Sequence, residues 1–297
     1  MPYVYLITTV IFSSLGNIMA TFYNKKNSSV KDPVPLYNVV YVATTLLSFS
    51  LMYIFDFSFD PSVLLYSLAF GTCYAASTIG GINALKHGSV ALTTLVVQLS
   101  LIAVTIWGFF FWGAEFNLLV ASGIILVVLS LVLCIYKKEE NDSGMINPKW
   151  LFWVSLGFLG NTGCTILQRT QQMQYEGKHG KMLMVFALII ALGVCLTRLL
   201  LSRKKEIAEG YPCELKKISR RSLIFPVITG VANAMVNLFV MLLAGTDLSP
   251  SIIYPAIAIG ALSIVTLFSV IVFGERLSTR RWIGVAIGIA AIIILNL

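Results

Sequence analysis

Apolar residues run along the chain in ten stretches, near residues 3–23, 34–55, 62–85, 89–112, 118–136, 150–172, 181–202, 222–244, 250–273 and 279–297, separated by short polar links. A helix rises about 1.5 Å per residue, so crossing a hydrocarbon core of about 30 Å takes roughly 20 mostly apolar residues. The pattern therefore predicts an all-α polytopic membrane protein with ten transmembrane helices. They use up nearly the whole sequence, so function must lie among the helices. The first stretch lacks a basic leader and is followed directly by Lys25 and Lys26, which suits an uncleaved helix rather than a signal peptide.

The polar positions inside these stretches repeat. "SSLGNIMATFYNK" (13–25) aligns with "GFLGNTGCTILQR" (157–169), which sets Gly16-Asn17 on Gly160-Asn161, Thr21 on Thr165 and Asn24 on Gln168. An i, i+4, i+7 spacing keeps such residues on one helical face. Later in each half, Gly113 and Gly123 are ten residues apart, as are Gly274 and Gly284, and each pair encloses an acidic link, Glu115 or Glu275. The register offset widens because "RKKEIAEGYPCELKKISRR" lengthens the link before the eighth helix. Residues 1–145 and 146–297 thus read as two five-helix repeats. Five is odd, so the second repeat enters the membrane inverted, an arrangement common in transporters, whose sites lie near the midplane between repeats.

Composition agrees with a bilayer as solvent: 58% of residues are hydrophobic and 11% charged, with mean hydropathy +0.87. The net charge of +8 resembles a nucleic-acid signal until its distribution is read. Nearly all Lys and Arg fall in alternate links, including "NKKNSSVK", "YKKEEN", "SRKKE" and "KKISRR". Basic links face the cytoplasm, so the charge reports topology and predicts both termini outside. A bacterial inner membrane is the expected location.

Ten helices in two repeats, each with a Gly-Glu-Gly link before its last helix, resemble the drug/metabolite transporter superfamily in its ten-helix EamA-like branch. "FGERLSTRRWIGVAIGIAAIIIL" carries the resemblance best; "FWGAEFNLLVASGIILVVLSLVL" is a looser copy with Ala114 inserted. The resemblance covers the whole chain. It implies a central cavity lined by helices 1, 3, 4, 6, 8 and 9, with 5 and 10 peripheral. The chain departs from it twice: many members keep their termini in the cytoplasm, and the proton-coupled four-helix members carry a Glu in helix 1, where this chain has no acid.

Intramembrane polar residues are costly and face the bundle interior. Counting residues from helix ends puts Asn17, Tyr74, Gln98, Asn161 and Asn233 close to the midplane on helices 1, 3, 4, 6 and 8. Thr21, Thr94, Thr165, Gln168, Asn237 and Tyr254 surround them and complete the candidate substrate-binding set. The alternative for each is a hydrogen bond between helices, worth about 0.6–2 kcal/mol. The set contains no acid, which argues against proton-coupled drug antiport. Arg169 either attracts a substrate carboxylate at the vestibule or snorkels to the interface. Pro255 is a kink that serves as a hinge or stays static; Glu275 either pairs with neighbouring arginines or gates. The five tryptophans fall toward helix ends as interfacial anchors.

No catalytic motif occurs, so no enzyme and no catalytic residue is expected. The cysteines at 73, 134, 164, 195 and 213 have no metal or disulfide spacing. Neither a metal nor a cofactor is expected. The expectation is a secondary transporter moving a small neutral or zwitterionic solute by alternating access. Two other readings stay open: a flippase for lipid-linked headgroups, and a non-transporting scaffold or receptor subunit. Expected partners are a small-molecule substrate and membrane lipids, not nucleic acid, and a homodimer stays open.

Overall fold

The computed structural model describes residues 1–27, 30, 33–55, 58–87, 90–114, 116–135, 148–208, 218–273 and 279–295. These residues form ten α-helices: α1 (Pro2–Lys26), α2 (Val34–Ile54), α3 (Val63–His87), α4 (Val90–Phe111), α5 (Leu118–Ile135), α6 (Pro148–Gln174), α7 (Gly180–Ala208), α8 (Ile224–Ala244), α9 (Pro250–Phe273) and α10 (Thr279–Leu295). No strand occurs among the described residues. Several helices open on proline: Pro2, Pro148 and Pro250 stand first in α1, α6 and α9, and Pro35 second in α2. The first turn has no intrahelical use for an N–H, and proline's fixed φ is already helical there. Lys25 and Lys26 in the last turn of α1 complement its dipole.

Nine of the helices begin and end within about three residues of the apolar stretches. α7 runs on to Ala208, past the end of its apolar run, because "SRKKEIA" is made of good helix formers that need no lipid. Pro255 lies inside α9 as expected. Glu115, Gly274 and Glu275 fall outside the described residues.

Seven helices are long and apolar enough to cross a membrane; α4, α5 and α10 carry shorter apolar stretches. Their outward faces are uniformly greasy: Leu65 is 73% exposed, Ile125 67% and Leu201 61%. A surface of this kind needs lipid to cover it. The chain is an integral membrane protein.

The two halves of the chain interdigitate. α3 packs along α6 and α1 along α8; α2 lies against α7 and α8, α3 against α7, α4 against α6 and α9, and α5 against α10. In the α3–α6 seam the backbones touch. A Cβ built on Gly160 would stand 2.5 Å from Ser77 N and 2.6 Å from Cys73 O, and one on Gly157 2.9 Å from Gly81 N. Only small residues allow helices this close. The α5–α10 pair is joined similarly: Ser130 Oγ donates to Gly284 O at 2.7 Å, and a Cβ on Gly288 would meet the same hydroxyl.

Candidate functional site

A two-lobed cavity runs through the middle of the bundle. The first lobe, about 290 Å³, lies among α1, α2, α3 and α8, with Gly16, Asn17, Tyr37, Asn38, Tyr41 and Thr229 in its wall. The second, about 280 Å³, lies deeper among α3, α4, α6, α8 and α9, with Tyr74, Gln98, Asn161, Gln168, Asn237 and Tyr254. Asn17, Tyr41, Ser77 and Asn233 line both, so the lobes are continuous. Neither wall carries Asp, Glu, Lys, Arg or His.

Of the eleven candidate substrate residues, nine line this cavity: Asn17, Tyr74, Gln98, Asn161, Thr165, Gln168, Asn233, Asn237 and Tyr254. Thr21 is not among the lining residues; its hydroxyl donates to Asn17 O in its own helix at 2.9 Å. The Thr94 side chain lies outside the described residues. Ser14 is buried toward α9, 3.5 Å from Ala261 O, and its neighbour Ser13 faces the cavity instead.

One chain of hydrogen bonds crosses the site. Tyr41 and Tyr74 share a short hydroxyl–hydroxyl contact, Tyr74 donates to Asn233 Oδ1 at 3.0 Å, and Asn237 Nδ2 donates to the same oxygen at 3.0 Å. A phenol has one proton, so Tyr41 must be the donor to Tyr74. Gln168 Nε2 then donates to Asn237 O at 3.1 Å, carrying the chain from α2 through α3 and α8 to α6. Asn161 Nδ2 donates to Ser100 Oγ at 2.6 Å. Other amides are left open. Asn17 and Gln98 make no side-chain hydrogen bond among the described residues, and both amide atoms of buried Asn38 lack a partner. Such groups need a solute or water to complete them.

The α2 wall was missed in the sequence. Tyr37 and Tyr41 sit one turn apart with Asn38 between them, and their rings belong to a ladder from Tyr23 to Phe70, tilted at Tyr23–Tyr37 and stacked beyond it: centroid spacings are 4.9 Å for Tyr23–Tyr37, 6.1 Å for Tyr37–Tyr41, 6.3 Å for Tyr41–Tyr74 and 6.1 Å for Phe70–Tyr74. The spacing in "LYNVVY" carries the signal, but α2 lies outside the cavity set that the resemblance implies.

Side chains cross-link the helices at the end of the cavity near α9. Gln168 bridges to α8; Trp112, just past α4, donates Nε1 to Thr170 Oγ1 at 3.3 Å and lies 6.4 Å from the Tyr254 ring. Outside these contacts the α2–α3 and α6–α7 links are tied together. His179 Nδ1 and Ser58 Oγ are 2.9 Å apart, and Ser62 Oγ meets Tyr175 OH at 2.6 Å and Asp60 Oδ1 at 2.6 Å. The Ser62 hydroxyl and backbone N–H, both donating to Asp60, hold its carboxyl below the usual carboxylate range.

Arg169 departs from the snorkelling reading. It is buried at 7% exposure, with its Cζ 5.3 Å from the centre of the Trp112 ring and its guanidinium beside the Tyr254 hydroxyl. Its Nε has no hydrogen-bond partner. The aromatic contact supplies about 0.5–2 kcal/mol, too little to offset the burial of a cation. Trp150 also differs from an interfacial anchor: it is 9% exposed and donates Nε1 to Thr93 Oγ1 at 2.9 Å, pinning α6 to α4. Pro255 is buried within α9, one residue after Tyr254, and is not among the lining residues.

No protein-family model matches the chain, and no curated protein matches it. Among solved structures, one described only as "Crystal structure of protein" superposes with a TM-score of 0.72 at 12% identity, over 99% of this chain and 95% of that chain. The likeness is one of fold.

Proposed function

We propose that the chain is a secondary transporter of the drug/metabolite kind, moving a small polar organic solute by alternating access between two inverted five-helix repeats. The observation that carries this reading is the cavity. It is uncharged, lined by free amides and tyrosine rings, continuous toward the α1–α2 end of the bundle, and cross-linked by side chains at the other. A volume near 290 Å³ per lobe suits a metabolite of amino-acid size.

The packing supports the repeat. Exchanging α1–α5 for α6–α10 turns each close pair into another: α3–α6 into α8–α1, α3–α7 into α8–α2, α4–α6 into α9–α1, while α2–α7, α4–α9 and α5–α10 map onto themselves. Single contacts follow: a Cβ on Gly71 would sit 2.6 Å from Ala187 O, and one on Gly230 2.7 Å from Tyr41 O, the same meeting in each half. Under inverted symmetry the two seams α3–α6 and α1–α8 exchange roles when access alternates. In the present state α3–α6 is tight, and the cavity opens beside α1. The basic links favour a cytoplasmic opening with both termini outside, as in a bacterial inner membrane.

The absence of an acid from the cavity wall supports a facilitator or exchanger rather than a proton-coupled pump. The test is flux of a broad set of labelled amino acids, nucleosides and polar metabolites into proteoliposomes holding the full chain. Uptake of at least one, abolished by Tyr74→Ala or Asn233→Ala, is expected. No uptake of any member with a well-folded protein overturns the reading.

A further inference from the structure

Arg169 sits behind the α9 wall of the cavity as a charge without a counter-charge. Among the described residues no carboxylate pairs with it, and its Nε is orphaned although the side chain is 93% buried, being 7% exposed. A guanidinium cannot shed its proton to escape the cost of burial. Three elements hold it in place: α6 carries it, Trp112 at the end of α4 offers a ring face 5.3 Å from its Cζ, and α9 brings Tyr254 alongside. Trp112 is itself fixed to α6 through Thr170.

Tyr254 connects this charge to the cavity. It lines the deeper lobe, and its ring is 2% exposed. A guanidinium only donates, so a phenol beside it offers its oxygen to the arginine and keeps its own proton for another acceptor. No protein acceptor takes that proton among the described residues. The wall therefore presents a polarised O–H backed by an unpaired positive charge, in a site where both are little screened.

We propose that Arg169, Trp112 and Tyr254 form a carboxylate subsite at the α4–α6–α9 corner of the cavity, so that the solute carries one negative charge. This rests on the transporter reading and narrows its substrate class. One guanidinium balances one carboxylate; a phosphate monoester carries about −1.5 to −2 and would leave charge uncompensated, because no Lys or Arg lines either lobe. A solute that also bears an ammonium group finds the free amide oxygens and tyrosine faces of the other lobe. Monocarboxylates and zwitterions fit; esters, amides and cations do not.

The experiment uses the full chain, wild type beside R169M, R169K and Y254F. Thermal unfolding in detergent is measured with leucine, phenylalanine and serine, with their carboxamides, with the deaminated acids isocaproate and hydrocinnamate, and with phosphoserine. Flux of the same probes is followed in proteoliposomes. Removing an unpaired buried charge is expected to leave the unfolding midpoint of R169M unchanged or raised, whereas an arginine in structural service would lower it. At least one carboxylate raises the wild-type midpoint, its carboxamide does not, and R169M no longer responds. R169K keeps the charge but loses the planar fork and binds about tenfold more weakly. Y254F weakens binding without abolishing it. Equal response to acid and carboxamide, a response surviving in R169M, preference for phosphoserine, or no response to any carboxylate overturns the subsite. Carboxylate binding without flux leaves the subsite standing and overturns the transporter reading; flux of uncharged solutes alone does the reverse.

Discussion

The tripeptide Leu-Gly-Asn occurs at 15–17 in α1 and at 159–161 in α6, and its two copies have opposite surroundings. In α6, Gly160 lies against α3 so closely that a Cβ would strike Ser77 N and Cys73 O, and Asn161 is bonded to Ser100. In α1, a Cβ on Gly16 would find only Thr229 Cγ2 at an ordinary 3.7 Å, and Asn17 is exposed with no partner. One seam is closed and the other stands open to the cavity. Under the proposed alternating access, equal local sequence in unequal packing is expected, since each copy would serve both arrangements across a cycle.

The largest effect that breaks this comparison comes from the glycines. Gly160→Ala forces the α3 and α6 backbones apart, and overpacking of this kind costs about 1–3 kcal/mol. Gly16→Ala meets only an ordinary van der Waals contact and gains helix propensity, so its effect lies between zero and a stabilisation of about 1 kcal/mol. Thermal unfolding of the two purified variants checks the difference. Equal losses would mean that the seams are equally tight.

The amides give the next effect. Asn161→Ala removes the bond to Ser100 and lowers stability by about 0.6–2 kcal/mol, whereas Asn17→Ala leaves stability unchanged because nothing in the protein is bonded to it. Both lower flux if both face the solute. Asn233→Ala is the more severe variant: it strands the Tyr74 hydroxyl and the Asn237 amide, two donors that share one oxygen. An Asn17→Ala protein with wild-type flux would remove α1 from the site.

How much of this was legible follows from what each property depends on. Helix ends were readable because hydrophobicity and helix coincide, except in α7, where a polar helical turn continues beyond the apolar run. Depth along a helix is simple counting, so Asn17, Tyr74, Gln98, Asn161 and Asn233 could be grouped, and they do line one cavity. Seam tightness could not be read, because Gly16 and Gly160 have the same neighbours in sequence and differ only in what packs on them. Arg169 was unreadable for a related reason: its distance from the helix end suggested snorkelling, and only Trp112 and Tyr254, far away in sequence, show where it points. The α2 contribution of Tyr37, Asn38 and Tyr41 was legible but overlooked.

The smallest expected effect concerns pH and separates the outer links from the cavity. The cavity wall has no Asp, Glu, His, Lys or Arg, so flux should be flat between about pH 5 and pH 8 and insensitive to an imposed proton gradient. The Asp60 carboxyl outside the membrane is held below its usual range by the Ser62 hydroxyl first and the Ser62 N–H second. A depressed pKa means that the ionised form is favoured in the fold. Its contribution is therefore fully present above the unfolded-state value and is lost only as pH falls through the lowered one, well below neutrality. Because Asp60 is exposed, water screens the interaction, and Asp60→Asn should leave the neutral-pH unfolding midpoint almost unchanged.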